Sequence, residues 1–196
     1  MTGVVVTGGT GGIGRAVVEH YADADVVCSY HDNADGADAL VEATDSPEGQ
    51  TVASAMDVTN RDSVERFAEE AAATLDAVDA VVHTVGIVEP ELLEESTDEQ
   101  FGRVVDTNLT GTARVARAFL PVLRESAGSL VILSSVGGTA GTVDTSYAAS
   151  KAGLHGFVRA LAREVGPDGV RVNALAPGPV DTSMNDVIVD HLESTD

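Results

Sequence analysis

Val4-Val5-Val6-Thr7-Gly8-Gly9-Thr10-Gly11-Gly12-Ile13-Gly14 decides the fold. Three β-branched residues in a row make a short buried strand. The glycines that follow make a tight turn, and the stretch over roughly 12–22 has helical spacing. Glycine lets a backbone approach a pyrophosphate closely, and a helix N-terminus offers unpaired N–H groups and a positive dipole end. Glycine-rich turns also serve plain connections. The place of this one, at the first strand-to-helix junction, makes it a dinucleotide loop.

Working outward, short apolar runs alternate with longer amphipathic ones. Strands are expected at 4–6, 26–28, 51–56, 80–82, 130–133 and 170–175. Helices are expected over 12–22, 34–44, 62–75, 97–107, 109–125 and 147–164, with 137–146 as a loop of small residues. This βαβ rhythm predicts an α/β fold, a doubly wound parallel sheet of Rossmann type. Right-handed crossovers give the strand order 3-2-1-4-5-6, with the ligand crevice at the carboxyl ends of the strands. There is no internal repeat or interdomain linker, so one domain is expected.

Composition narrows the partners. Thirty-two acids oppose eleven bases, for a net charge of −21. Such a surface repels nucleic acid and anionic membrane, and neither is an expected partner. No apolar run is long enough to span a bilayer, and the expected location is the cytoplasm. Lys151 is the only lysine among the eleven bases, the rest being arginines. Abundant acid with almost no lysine is the composition of a halophilic protein, in which molar salt screens the repulsion. Cys28 is the only cysteine, and neither it nor His191 has companion ligands, so no metal site is expected. His20 and His155 read as surface or packing residues, and the acid-rich 89–99 stretch as a solvated loop and helix start.

Tyr147-Ala148-Ala149-Ser150-Lys151 sets a phenol and an ammonium at i and i+4, on one face of a helix. A phenol with a pKa of about 10 exchanges protons poorly at neutrality, and a nearby ammonium would lower it. Ser135, twelve residues earlier at the end of an apolar strand, offers a hydroxyl for a carbonyl oxygen.

These segments together resemble the short-chain dehydrogenase/reductase family, from residue 3 to about 184, and its 3-oxoacyl-thioester reductases in particular. Thr7-Gly8-x-x-x-Gly12-Ile13-Gly14 is similar to its cofactor loop, and Asp57-Val58 to the pair that contacts the adenine. Asn108-Leu109-x-Gly111 is similar to the segment bearing its catalytic asparagine. Ser135, Tyr147 and Lys151 match its catalytic serine, tyrosine and lysine, and Pro177-Gly178-x-Val180-x-Thr182 its nicotinamide-side motif. The resemblance implies an NAD(P)(H)-dependent oxidoreductase that interconverts a carbonyl and a secondary alcohol. Tyr147 would be the general acid/base, Lys151 would hold the ribose, and Asn108 would support a proton-relaying water. It also implies a homodimer or homotetramer, paired through the long helices near 109–125 and 147–164.

Three features bear on finer points. NAD-preferring relatives carry Asp at the end of the second strand; here Tyr30 and His31 stand there, and Arg15 follows the last glycine, so NADP is the expected cofactor, with NAD as the alternative. The family's Asn-Asn-Ala-Gly after the fourth strand is His83-Thr84-Val85-Gly86, so a weaker clasp on that strand is expected, with Gly86 still beside the cofactor. The family's usual seventh strand has no counterpart, so the 196 residues read as C-terminally incomplete, with 183–196 as a mobile cover over the substrate crevice. Alternative readings are a redox-inactive dinucleotide sensor and a fragment of the extended nucleotide-sugar branch, whose TGxxGxxG spacing Gly8, Gly11 and Gly14 also fit.

Overall fold

Val4, Val5 and Val6 lie in β1 (Gly3–Thr7), every residue of which is buried. In the computed structural model, which describes residues 2–194, β1 is an inner strand of a six-stranded parallel sheet. The other strands are β2 (Asp25–Tyr30), β3 (Thr51–Ala55), β4 (Ala80–His83), β5 (Ser129–Leu133) and β6 (Arg171–Leu175). Their order is β3-β2-β1-β4-β5-β6, as the βαβ rhythm predicts. β1 pairs with β2 on one side and β4 on the other, so the chain reverses direction across the sheet at β1. That switch point is where a ligand crevice forms at the strands' carboxyl ends.

The strand period of two sorts the core into two layers. Val4, Val6, Val26 and Cys28 face α1 (Gly12–His20) and α2 (Ala34–Ala43), packing on Val18 and Leu40. Val5, Val27, Val81 and Ile132 face α3 (Arg61–Thr74), α5 (Gly111–Ser126) and α7 (Thr145–Val165). Phe67 of α3 and Phe119 of α5 meet edge to face, their centroids 6.1 Å apart. Both helices are tethered to this layer by aromatic burial, the largest single contribution a side chain makes to a core.

Two local details differ from the sequence expectation. The two helices after β4 are continuous: α4 (Asp98–Val105) runs through a π turn at Asp106–Thr110 into α5. A π turn adds one residue to a helix and re-aims side chains, and this one carries Asn108. The 137–146 loop contains a short helix, α6 (Gly137–Ala140). Its glycines have poor helix propensity, and tertiary contact holds it. The N–H of Val136 donates to Pro177 at 3.1 Å, and a Cβ on Gly138 would stand 2.7 Å from the Lys151 carbonyl carbon. Only glycine lets α6 lie backbone to backbone on α7.

The apolar stripes on α5 and α7 are mostly used inside the molecule. Val115, Phe119 and Leu123, with Leu154, Val158 and Leu161, are all buried against the sheet. Of the residues that the sequence offers for pairing, Val122 and Phe157 are only partly covered. β6 is the edge strand, with Arg171, Asn173 and Leu175 exposed. The segment beyond it forms α8 (Ser183–Ser194), and Thr195 and Asp196 of the expected cover lie outside the described residues.

Candidate active site

The turn after β1 is held from three sides. Gly8 takes a left-handed φ of 81°, which a side chain would oppose. Its N–H donates to the Ser29 hydroxyl at 3.0 Å, while the Thr84 hydroxyl donates to the Thr7 carbonyl at 2.7 Å. A Cβ on Gly14 would run into the Gly8 carbonyl, so the turn closes only with glycine there. Gly11 caps α1 without any side-chain bond, leaving the helix N-terminus to the crevice. These features fit the pyrophosphate of a dinucleotide, since the backbone is bare and the dipole end open.

The crevice above this turn is about 1060 Å³. Gly8, Gly12, Ile13 and Gly14 line one wall, with Tyr30, His31, Asp57 and Val58 at the end of β2 and β3. Gly86, Ser135, Tyr147 and Lys151 form the opposite wall, and Pro177, Gly178, Val180 and Thr182 arch over it. Met184 and Ile188 of α8 also line it. Three of the expected site residues stand elsewhere. Thr7 is buried, its hydroxyl 2.6 Å from Nδ1 of His83. The Arg15 guanidinium pairs with Glu19 at 2.9 Å and does not line the crevice.

Asn108, the third, is a buried cross-brace behind the wall. Its Oδ1 accepts from the Ile87 N–H at 2.8 Å, and its Nδ2 donates to the Ile87 carbonyl at 2.9 Å and the Ser150 hydroxyl at 3.1 Å. It thereby joins the strand exit after β4 to the turn of α7 that carries Lys151.

Tyr147 and Lys151 share one face of α7, with Lys151 Nζ 5.5 Å from the tyrosine ring centroid. Asp144 caps the helix, accepting from the Tyr147 N–H at 2.9 Å. Lys151 is only 4% exposed and donates to the Leu133 carbonyl at 2.8 Å. Burial lowers its ammonium to a pKa of about 8. Burial also raises the Tyr147 phenol, a hydrogen bond from Ser135 lowers it, and the Asp144 charge raises it further. The net direction is upward. The lowering that the i, i+4 spacing predicts is therefore outweighed, because desolvation dominates. The Asp57 carboxyl is pushed up by burial, but bonds from the Thr59 hydroxyl and N–H outweigh that and hold it below its usual range.

Sequence reading misses several neighbours. Ser134 donates to the Lys151 carbonyl at 3.1 Å and lies 2.8 Å from His155 Nε2, so His155 braces α7. Arg114 bonds the Val58 carbonyl at 3.2 Å and Asp106 at 2.9 Å, clamping the adenine-side loop to the π turn. Glu89 and Arg103 form a bidentate pair on the crevice lining. At the strand-four motif, where a weaker clasp is expected, His83 and Thr84 both bond Thr7.

The family described as short chain dehydrogenase matches residues 2–193, nearly the whole chain. The chain belongs to that family. The short-chain dehydrogenase likeness extends to curated relatives, among them the 3-oxoacyl-[acyl-carrier-protein] reductase of Chlamydia muridarum, 34% identical over 97% of this chain and 78% of the relative. The enzyme of the same name from Vibrio harveyi is 33% identical over 95% of this chain and 76% of its own length. Among solved short-chain dehydrogenase folds, a dehydrogenase/reductase from Sinorhizobium meliloti superposes with a TM-score of 0.90 at 31% identity, covering 98% of this chain and 78% of that one. An alcohol dehydrogenase from the archaeon Thermococcus sibiricus, complexed with 5-hydroxy-NADP, gives 0.88 at 27% identity, over 94% and 79%. Membership makes this chain an NAD(P)-dependent oxidoreductase in general terms.

Proposed function

We propose that the chain interconverts a carbonyl and a secondary alcohol, using NADP(H) in preference to NAD(H). One observation supports this above the rest: Ser135, Tyr147 and Lys151 meet in the same crevice as the bare glycine turn. In the reducing direction the Ser135 hydroxyl binds the carbonyl oxygen. Tyr147 gives that oxygen its proton, while the carbonyl carbon takes the hydride that a reduced nicotinamide supplies. The C=O bond becomes CH–OH, its two electrons being those that the bound nicotinamide would supply as hydride. The Lys151 ammonium stabilises the phenolate left behind and holds the ribose hydroxyls. Asn108 keeps α7 in register with the wall after β4 and supports onward proton relay.

The NADP preference rests on Tyr30, which puts an uncharged ring where a carboxylate would repel a 2′-phosphate, and on His31 beside it. Asp32 lines the same end and works against it. Dissociation constants for NADPH and NADH at fixed salt decide this; equal or tighter NADH binding refutes it. A cytoplasmic homodimer or homotetramer completes the reading, checked by light scattering.

Tyr147→Phe tests the chemistry. It keeps the ring and removes the proton, so turnover should fall about 10²–10⁴-fold, the range of general acid–base groups. Cofactor affinity should be largely retained. A near-normal rate would sink the assignment, and cofactor binding without turnover in the unaltered protein would favour a sensor.

A further inference from the structure

Among its described lining residues the crevice has one guanidinium, and it is already paired. Among the described lining residues the cations are Lys151, His31 at the adenosine end and Arg103 of α4. Arg103 donates from Nε to Glu89 Oε1 at 2.7 Å and from Nη2 to Oε2 at 2.6 Å. This parallel fork is the geometry by which arginine recognises a carboxylate or phosphate. Glu89 is fixed in turn, its N–H donating to Asp144 Oδ2 at 2.9 Å. Asp144 also caps Tyr147, so the pair is anchored to the catalytic helix. Ile87, Val136, Met184 and Ile188 give the crevice apolar lining.

Given the carbonyl–alcohol reading above, on which this step rests, we infer that the substrate is an uncharged ketone or secondary alcohol with an apolar arm. Glu89 sets that preference by filling the Arg103 fork. A substrate carboxylate or phosphate arriving here meets a guanidinium that is already paired and the fixed carboxylate of Glu89. The overall charge of −21 repels anions at low salt, but at molar salt that field is screened within about 3 Å. The filled fork, a contact-range device, still discriminates there. Hydride and proton both go to the carbonyl group, so the remote charge changes binding and leaves the chemistry alone.

The test compares 4-oxopentanoate with its ethyl ester in 2 M potassium chloride, with each nicotinamide. The ester should be favoured by about tenfold or more in kcat/KM, the scale of one charge-assisted contact. Glu89→Gln should narrow that ratio by about tenfold, because it frees the fork for the carboxylate. Adding Arg103→Gln to it should restore the preference, which a merely loosened fold would not do. Equal efficiency for acid and ester in the unaltered protein overturns the inference and leaves the redox reading intact. So does a Glu89→Gln change that scales both substrates alike. No reduction of either, nor of a panel of neutral ketones, removes the redox reading and this inference with it.

Discussion

The Thr7 hydroxyl lies 2.6 Å from Nδ1 of His83, across the β1–β4 pair and out of reach of solvent. His83 is 1% exposed, and its Nε2 has no hydrogen-bond partner. Burial, with the Lys151 charge adding to it, lowers the imidazole to a pKa of about 3.

This buried imidazole makes stability fall with acid. The unfolded chain takes up a proton near pH 6.5, while the folded chain stays neutral until about pH 3. Between those limits the unfolded state binds more protons, so stability drops as pH falls, by up to about 1.4 kcal/mol per pH unit. His83→Asn should flatten the slope of denaturant stability between pH 6 and 4. An unchanged slope would show that carboxylates alone set it.

The two directions of the reaction should respond oppositely to pH. On the proposed mechanism Tyr147, raised above its ordinary value, would keep its proton at neutrality and serve reduction. Alcohol oxidation needs the phenolate, so its rate should climb about tenfold per pH unit between pH 6 and 8. Reductive kcat/KM should fall above about pH 8, where the Lys151 ammonium begins to lose its charge. A reductive profile flat to pH 9.5 would show that the charge is not required.

Arg114→Gln should act on the cofactor rather than on the chemistry. It removes the bonds to the Val58 carbonyl and Asp106 that hold the adenine-side loop. Two such bonds contribute roughly 1–3 kcal/mol, so the cofactor KM should rise between fivefold and a hundredfold, about that range. A variant that lowers kcat and leaves the cofactor KM alone would contradict the clamp.

Salt should stabilise the protein. Screening weakens the surface ion pairs, such as Arg61–Glu65 and Arg124–Asp168, but exposed pairs contribute little to stability. It also relieves the repulsion among a net −21, which is the larger effect. Melting temperature should rise between 0.1 M and 2 M potassium chloride, by about 2–4 °C per kcal/mol relieved. A flat or falling curve would leave the acidic surface without a halophilic role.

Local sequence carries the strands, the glycine turn and the Tyr147–Lys151 face, because each is written in a period of two or four residues. Some misplacements were open to the same logic. Thr7 shares its strand face with Val5, which is buried in the layer under α3 and α5, so its hydroxyl had to point into the sheet. Arg15 has Glu19 four residues on, an ordinary helical pair. Other features depend on distant packing. Glu89 and Arg103 are joined only by the turn between β4 and α4, and α6 exists only because Gly138 lies on α7. The upward shift of Tyr147 depends on desolvation, which no residue spacing encodes.

Lys151 carries the chain's only ε-amine, and the fold puts that amine in the crevice wall. Uniform labelling with Nζ-enriched lysine would therefore light a single nitrogen resonance, free of any surface background. Its chemical shift would report the protonation of the site directly, and its movement on adding a dinucleotide would trace binding without a mutation or a dye.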